Sequence, residues 1–175
     1  MPRIDLHCHI FPRNLPDLAS KYLEDPGPWV SLRESSCPGC RAMFLGDRFF
    51  RDIQPNCWDP ETRIRECDAL GVDVQVLSTI PVFFSYKRQS RYALDLARII
   101  NDDLADVVRS NPSRFVGLGT VPLQDTQLAV LELKRCVLEL GLSGIEIGSH
   151  VNGKNLDDPE LLPLFETGMS FQASF

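Results

Sequence analysis

The sequence lacks any apolar run near the roughly 18–20 residues a membrane-spanning helix needs, so a bilayer span is not expected. It also lacks an excess of cations. Eighteen Lys and Arg stand against twenty-four Asp and Glu, giving a net charge of −6. The basic face of a general nucleic-acid binder is therefore absent. The N-terminus, MPRIDLHCHIF, has neither the apolar centre nor the small-residue cleavage site of a secretory signal, so a cytosolic protein is expected. No tandem repeat and no low-complexity segment interrupts the chain. With 43% hydrophobic and 24% charged residues, the composition is that of a folded globule and not of a disordered segment. The 175 residues suit one domain, with or without a small insertion.

Histidine is scarce, at three residues, and there are six cysteines. In a reducing compartment the cysteines are expected mostly as free thiols. Only Cys37-Pro38-Gly39-Cys40 has metal or redox spacing. A structural zinc needs two further ligands and no second CxxC exists, so the expected reading is a plain loop turn. Cys67 and Cys136 fall inside helical patterns and read as buried packing.

What is present is an alternation of short apolar strands and amphipathic helices. Arg3–Ile10 reads as the first strand. The stretch from about 12 to 56 breaks the rhythm and reads as an inserted subdomain, with strands near Trp29–Arg33, Arg41–Phe44 and Arg48–Ile53. Asp59-Pro60-Glu61 is a helix start, with an Asp cap and Pro in the first turn. That helix runs to Leu70, with Gly71 as its stop. A strand over Asp73–Ile80, a helix over Ser90–Ser110 and a strand over Arg114–Val121 follow. Asp125 or Thr126 starts a helix to Leu140, whose apolar face is Val130, Leu133, Val137 and Leu140. Gly144–Ser149 is the next strand. Asp158-Pro159-Glu160 starts a last helix, stopped at Gly168. The ending SFQASF does not resemble a further strand.

Strand–helix alternation predicts an α/β fold with a parallel sheet. Without the insertion roughly 130 residues remain, half of the about 250 that a (β/α)8 TIM barrel takes. The expected architecture is the first four β-α units of such a barrel. A small open α/β sheet is the alternative.

Asp5-Leu6-His7-Cys8-His9 is the most specific feature. Alternate strand residues share a face, so His7 and His9 point the same way, and two imidazoles there can hold a divalent ion such as zinc. Cys8 faces the other side. His150, after the fourth strand, is either a ligand or a polar residue at the mouth. Arg51 reads by position as a surface residue, with a carboxylate-gripping role as the alternative. Trp58 reads as a packing plug. Ser78-Thr79 either faces the mouth or caps locally. Gly117-Leu118-Gly119 lacks the spacing of a dinucleotide loop.

The stretches RIDLHCHIFP, NCWDPETRIRECDALGVDVQVLSTIPVFFSY, NPSRFVGLGTVPLQD and GIEIGSHVNGKNLDD carry a resemblance. The sequence resembles the N-terminal half of the 2-amino-3-carboxymuconate 6-semialdehyde decarboxylases, within the amidohydrolase superfamily. The resemblance implies a metal-dependent hydrolase-like barrel, one Zn2+ and a small-molecule substrate losing its carboxylate as carbon dioxide. That step belongs to the kynurenine branch of tryptophan catabolism. It diverts flux from quinolinate and NAD synthesis toward picolinate. It also implies that His7 and His9 are metal ligands, and that Arg51 binds the substrate carboxylate across a homodimer. The family's third histidine ligand lies in an HPW motif on the fifth strand, and these residues contain no such motif. Its acid/base histidine and late aspartate ligand have no counterpart either. Two alternatives stay open: an inactive short form that associates with full-length subunits, and a related amidohydrolase acting on another aromatic acid.

Overall fold

The computed structural model describes residues 1–25 and 27–175. Strand β1 (Ile4–Ile10) leads into a short helix α1 (Leu18–Lys21) and three strands, β2 (Val30–Glu34), β3 (Arg41–Leu45) and β4 (Arg48–Ile53). These last three form their own antiparallel sheet in the order β2-β3-β4. Regular alternation then runs α2 (Pro60–Leu70), β5 (Val74–Thr79), α3 (Ser90–Ser110), β6 (Phe115–Gly119), α4 (Thr126–Leu138) and β7 (Gly144–Ile145). A two-residue-strand hairpin, β8 (His150–Val151) and β9 (Lys154–Asn155), precedes helix α5 (Leu162–Ser170).

The main sheet is parallel in the order β1-β5-β6-β7. Each successive strand of the alternating series lies beside the previous one. A doubly wound sheet reverses direction at a switch point, whereas a barrel does not. The sheet therefore has the winding of the first four β-α units of a (β/α)8 barrel.

The helix boundaries follow local chemistry. The Asp59 carboxylate accepts from the Glu61 and Thr62 N–H groups at 3.2 and 3.1 Å, and Gly71 closes α2 in the left-handed region. In α3 the buried positions Ala93, Leu96, Ala97, Ile100, Leu104 and Ala105 step by three, four or one along a single face. That face meets two cores. One core gathers Cys8, Ile10, Leu77, Phe115, Leu133 and Ile145 between sheet and helices. The other gathers Phe11, Leu18, Trp29, Met43, Ile53 and Phe83 beneath the antiparallel sheet.

Several expectations are corrected. The buried face of α4 is Ala129, Glu132, Leu133 and Cys136, with Val130, Val137 and Leu140 only partly buried. The face rotates because Glu132 is fully buried and neutralised there, with Arg135 at 2.8 Å and Asn101 at 2.8 Å. The fourth strand stops at Ile145 instead of Ser149, because its neighbour β6 ends at Gly119 and offers only the Gly119 carbonyl to Glu146 N–H, at 2.8 Å. Gly168 does not stop α5. It lies inside the helix, where an added Cβ would meet the Phe175 ring at 2.2 Å. The ending is strand-like at one point. Ser174 pairs in parallel with Gly144, donates from its N–H to Ser143 O at 2.9 Å and accepts from Ile145 N–H at 3.0 Å. Cys37 and Cys40 form a disulfide across the expected turn, while Cys8, Cys57, Cys67 and Cys136 are free thiols.

Candidate metal centre

The site begins with an irregularity in β1. Asp5 pairs with Gln75 but Cys8 pairs with Leu77, so β1 carries one extra residue between those points. Beyond this bulge Cys8 and Ile10 enter the core. His7 and His9 lie on the other face, with ring centroids 4.7 Å apart. Burial first, then the hydrogen bond to Asp5, pushes the Cys8 thiol up to about 12. It is a neutral packing group, as its face predicts.

Two neighbouring strands complete the cluster. Ser78, on β5, lies 3.2 Å from His9 Nδ1 and 3.4 Å from the Cys8 carbonyl that accepts its proton. Glu146, just past β7, brings Oε1 to 3.8 Å from the same nitrogen. One ligand atom from each of His7, His9 and Glu146 lies within 4.8 Å of the others. All three strands are parallel, so their C-terminal ends converge on one rim, where barrel enzymes place their chemistry.

The electrostatics of Glu146 are those of a buried carboxylate. Burial pushes its carboxyl above the ordinary range, and His9, Ser78 and His7 pull it back in part. Its Oε2 is buried with no hydrogen-bond partner among the described residues. A buried carboxylate oxygen without a donor is costly, and a cation satisfies it. The residues therefore fit a divalent ion. Imidazoles suit zinc and a carboxylate suits manganese, so this mixed set accepts either.

The other candidates lie elsewhere. His150 is exposed on β8 beside Ser149, outside the cluster. Arg51 is exposed on β4, opposite Met43 in register, with no ion pair among the described residues. Trp58 packs against the second core, with the Arg41 guanidinium over its ring at 4.7 Å. Ser78 does face the mouth, and Thr79 is buried. The residue missed from sequence is Glu146. Its signal was a lone carboxylate in an otherwise apolar strand end, Gly144-Ile145-Glu146-Ile147.

The family described as Amidohydrolase matches residues 4–167, and the chain belongs to that family. A 2-amino-3-carboxymuconate-6-semialdehyde decarboxylase of Dictyostelium discoideum is 55% identical over 94% of this chain and 45% of its own length. The Caenorhabditis elegans protein of that name is 38% identical over 98% of this chain and 47% of its own. A 5-carboxyvanillate decarboxylase from Novosphingobium aromaticivorans, solved with manganese and 4-hydroxy-3-methoxy-5-nitrobenzoic acid, superposes with a TM-score of 0.73. It is 27% identical over 98% of this chain and 48% of its own. The chain spans about half the length of the curated relatives it matches. Among the described residues no helix is long and apolar enough to cross a membrane.

Proposed function

We propose that the chain carries the first-strand half of a metal-dependent carboxy-lyase site. The observation that carries this reading is the convergence of His7, His9 and the buried Glu146 carboxylate at the strand ends. His7, His9 and Glu146 would hold the ion, and Ser78 fixes the His9 ring against rotation. A bound divalent ion supplies Lewis-acid polarisation and activation of water. Loss of carbon dioxide leaves the electron pair of the broken carbon–carbon bond on the substrate carbon, and that pair takes up a proton to form the new C–H bond. The substrate needs a cation at its carboxylate, and Arg51, exposed on β4 with no ion pair among the described residues, is the residue proposed for it.

The finer reading rests on the 55% identity with the slime-mould relative. It takes 2-amino-3-carboxymuconate 6-semialdehyde as substrate and zinc as the ion. The setting is a cytosolic homodimer in tryptophan breakdown, diverting flux from quinolinate toward picolinate. A second reading, a related enzyme acting on another aromatic acid, is favoured by the likeness to the carboxyvanillate enzyme.

The test is metal content and absorbance decay of the semialdehyde on one purified sample. Expected is about one tightly held ion per chain, lost in His9→Ala. Turnover of the semialdehyde but not of carboxyvanillate supports the first substrate over the second. A chain that binds no divalent ion overturns the metal-site proposal.

A further inference from the structure

A cavity of about 640 Å³ is lined in part by Gly148, two residues past Glu146, but not by His7, His9 or Glu146 themselves. It opens between the segments that follow β5 and β7, and Trp29 of the inserted region forms part of its wall. Phe84 and Tyr86 stack on one another there, with ring centroids 5.3 Å apart and planes 14° apart. Three strand-end segments are knitted around this pair. Gly148 N–H donates to the Tyr86 hydroxyl at 3.0 Å, and Asn152 Nδ2 donates to the Tyr86 carbonyl at 2.7 Å. Gln124 Nε2 donates to the Ser85 and Arg88 carbonyls at 3.2 and 3.1 Å.

The backbone is bent to achieve this. Asn152 at φ 49° is, with Gly153, the two-residue turn of the β8–β9 hairpin, where positive φ is the ordinary geometry. Ser85, at φ 55°, has no such turn around it, and a serine is held in the left-handed region only where surrounding contacts over-determine it. Gly148 matters for a different reason: a Cβ would come within 3.1 Å of the Tyr86 ring edge. The aromatic pair is thus a preorganised wall.

The charges around the cavity are uneven. Arg88 is neutralised, with Nη1 3.0 Å from Asp25 and its guanidinium over Trp29 at 4.5 Å. Lys87 also lines the cavity and makes no ion pair among the described residues. An aromatic face beside one uncompensated cation suits a flat, unsaturated acid. Its ring or diene extends the stack, and a carboxylate on it, distinct in a dicarboxylic substrate from the one assigned to Arg51, meets the ammonium.

We infer that Phe84, Tyr86 and Lys87 form a recognition subsite for planar unsaturated carboxylic acids, and that they select the substrate's shape. The inference deepens the carboxy-lyase reading, on which it rests for the class of acid. Its test does not need the metal. Calorimetric titration of the chelator-treated chain uses 2,6-dihydroxybenzoate as the planar probe and cyclohexanecarboxylate as the puckered one. The planar acid should bind more tightly. Phe84→Leu, which keeps apolar volume but removes the π face, should weaken it by about two- to tenfold. Lys87→Ala, at an exposed side chain, should weaken both acids by about two- to fivefold. Equal affinities for the two acids overturn the inference, as does no binding of either or indifference of the planar acid to both variants. Failure here with a metal-loaded wild-type chain leaves the metal site standing. Planar-acid selectivity in a chain that takes up no metal supports the subsite and overturns the metal site.

Discussion

Single residues decide whether this site and its supports exist. Glu132 is a charge buried completely and satisfied by Arg135, Arg98 and Asn101. Asn101 in turn bonds both backbone groups of Thr120, the first residue past β6. Glu132→Ala leaves the Arg135 charge and the Asn101 amide without their shared partner. It should cost about 3–5 kcal/mol, read as a lower midpoint in urea denaturation. Arg51 tests differently, because its exposed side chain makes no hydrogen bond or ion pair among the described residues. Arg51→Ala should leave metal content and stability unchanged. It should raise KM about tenfold or more in an assembly that turns over substrate, the size expected for a charged hydrogen bond. Unchanged KM would remove Arg51 from the site.

Whole elements are held by their ends and by close approach. The Asp59 carboxyl is held below its usual range, chiefly by the Thr62 hydroxyl and then by the Thr62 and Glu61 N–H groups. A depressed carboxyl stabilises the fold fully above its unfolded value, and that contribution is lost as pH falls through the folded value. Asp59→Ala should therefore destabilise by about 1 kcal/mol at neutral pH. The gap to wild type should close as thermal melts are taken into strong acid. Strand β6 depends on glycine for another reason. A Cβ at Gly117 would meet Leu142 at 2.6 Å and Val108 at 3.0 Å, where α3 and the segment after α4 press on the sheet. Gly117→Ala should cost about 1–3 kcal/mol by overpacking, and urea denaturation measures it.

At the scale of the molecule, the four-stranded sheet has the strand order of part of a barrel and leaves β1 without a neighbour on one side among the described residues. That edge exposes Ile4 at 52% and Leu6 at 73%. An unpaired, apolar edge strand recruits other strands. The 175-residue chain is expected to self-associate as its concentration rises, which sedimentation velocity detects. Leu6→Lys should shift it toward the monomer without altering metal content. A chain that stays monomeric across the range would show that the edge is protected in solution.

Much of this was legible in the residues themselves. Caps, glycine stops and apolar periodicity placed α2, α3 and β5 within a residue or two, because those signals act through neighbours in sequence. The two-residue spacing of His7 and His9 put both rings on one face for the same reason. What failed were choices made by distant partners. Strand β7 ends early because β6 does, α4 turns because Asn101 on α3 donates to a buried Glu132, and the Ser174 pairing needs an edge 30 residues upstream. Glu146 belongs with these. A carboxylate at a strand end is unremarkable until parallel pairing across β5 and β6 carries it to the histidines of β1. Signals between neighbours in sequence set the local structure and the shared face of His7 and His9. Only the tertiary fold decided that Glu146 joins them in the candidate site, since strand order brings together groups that no local spacing connects.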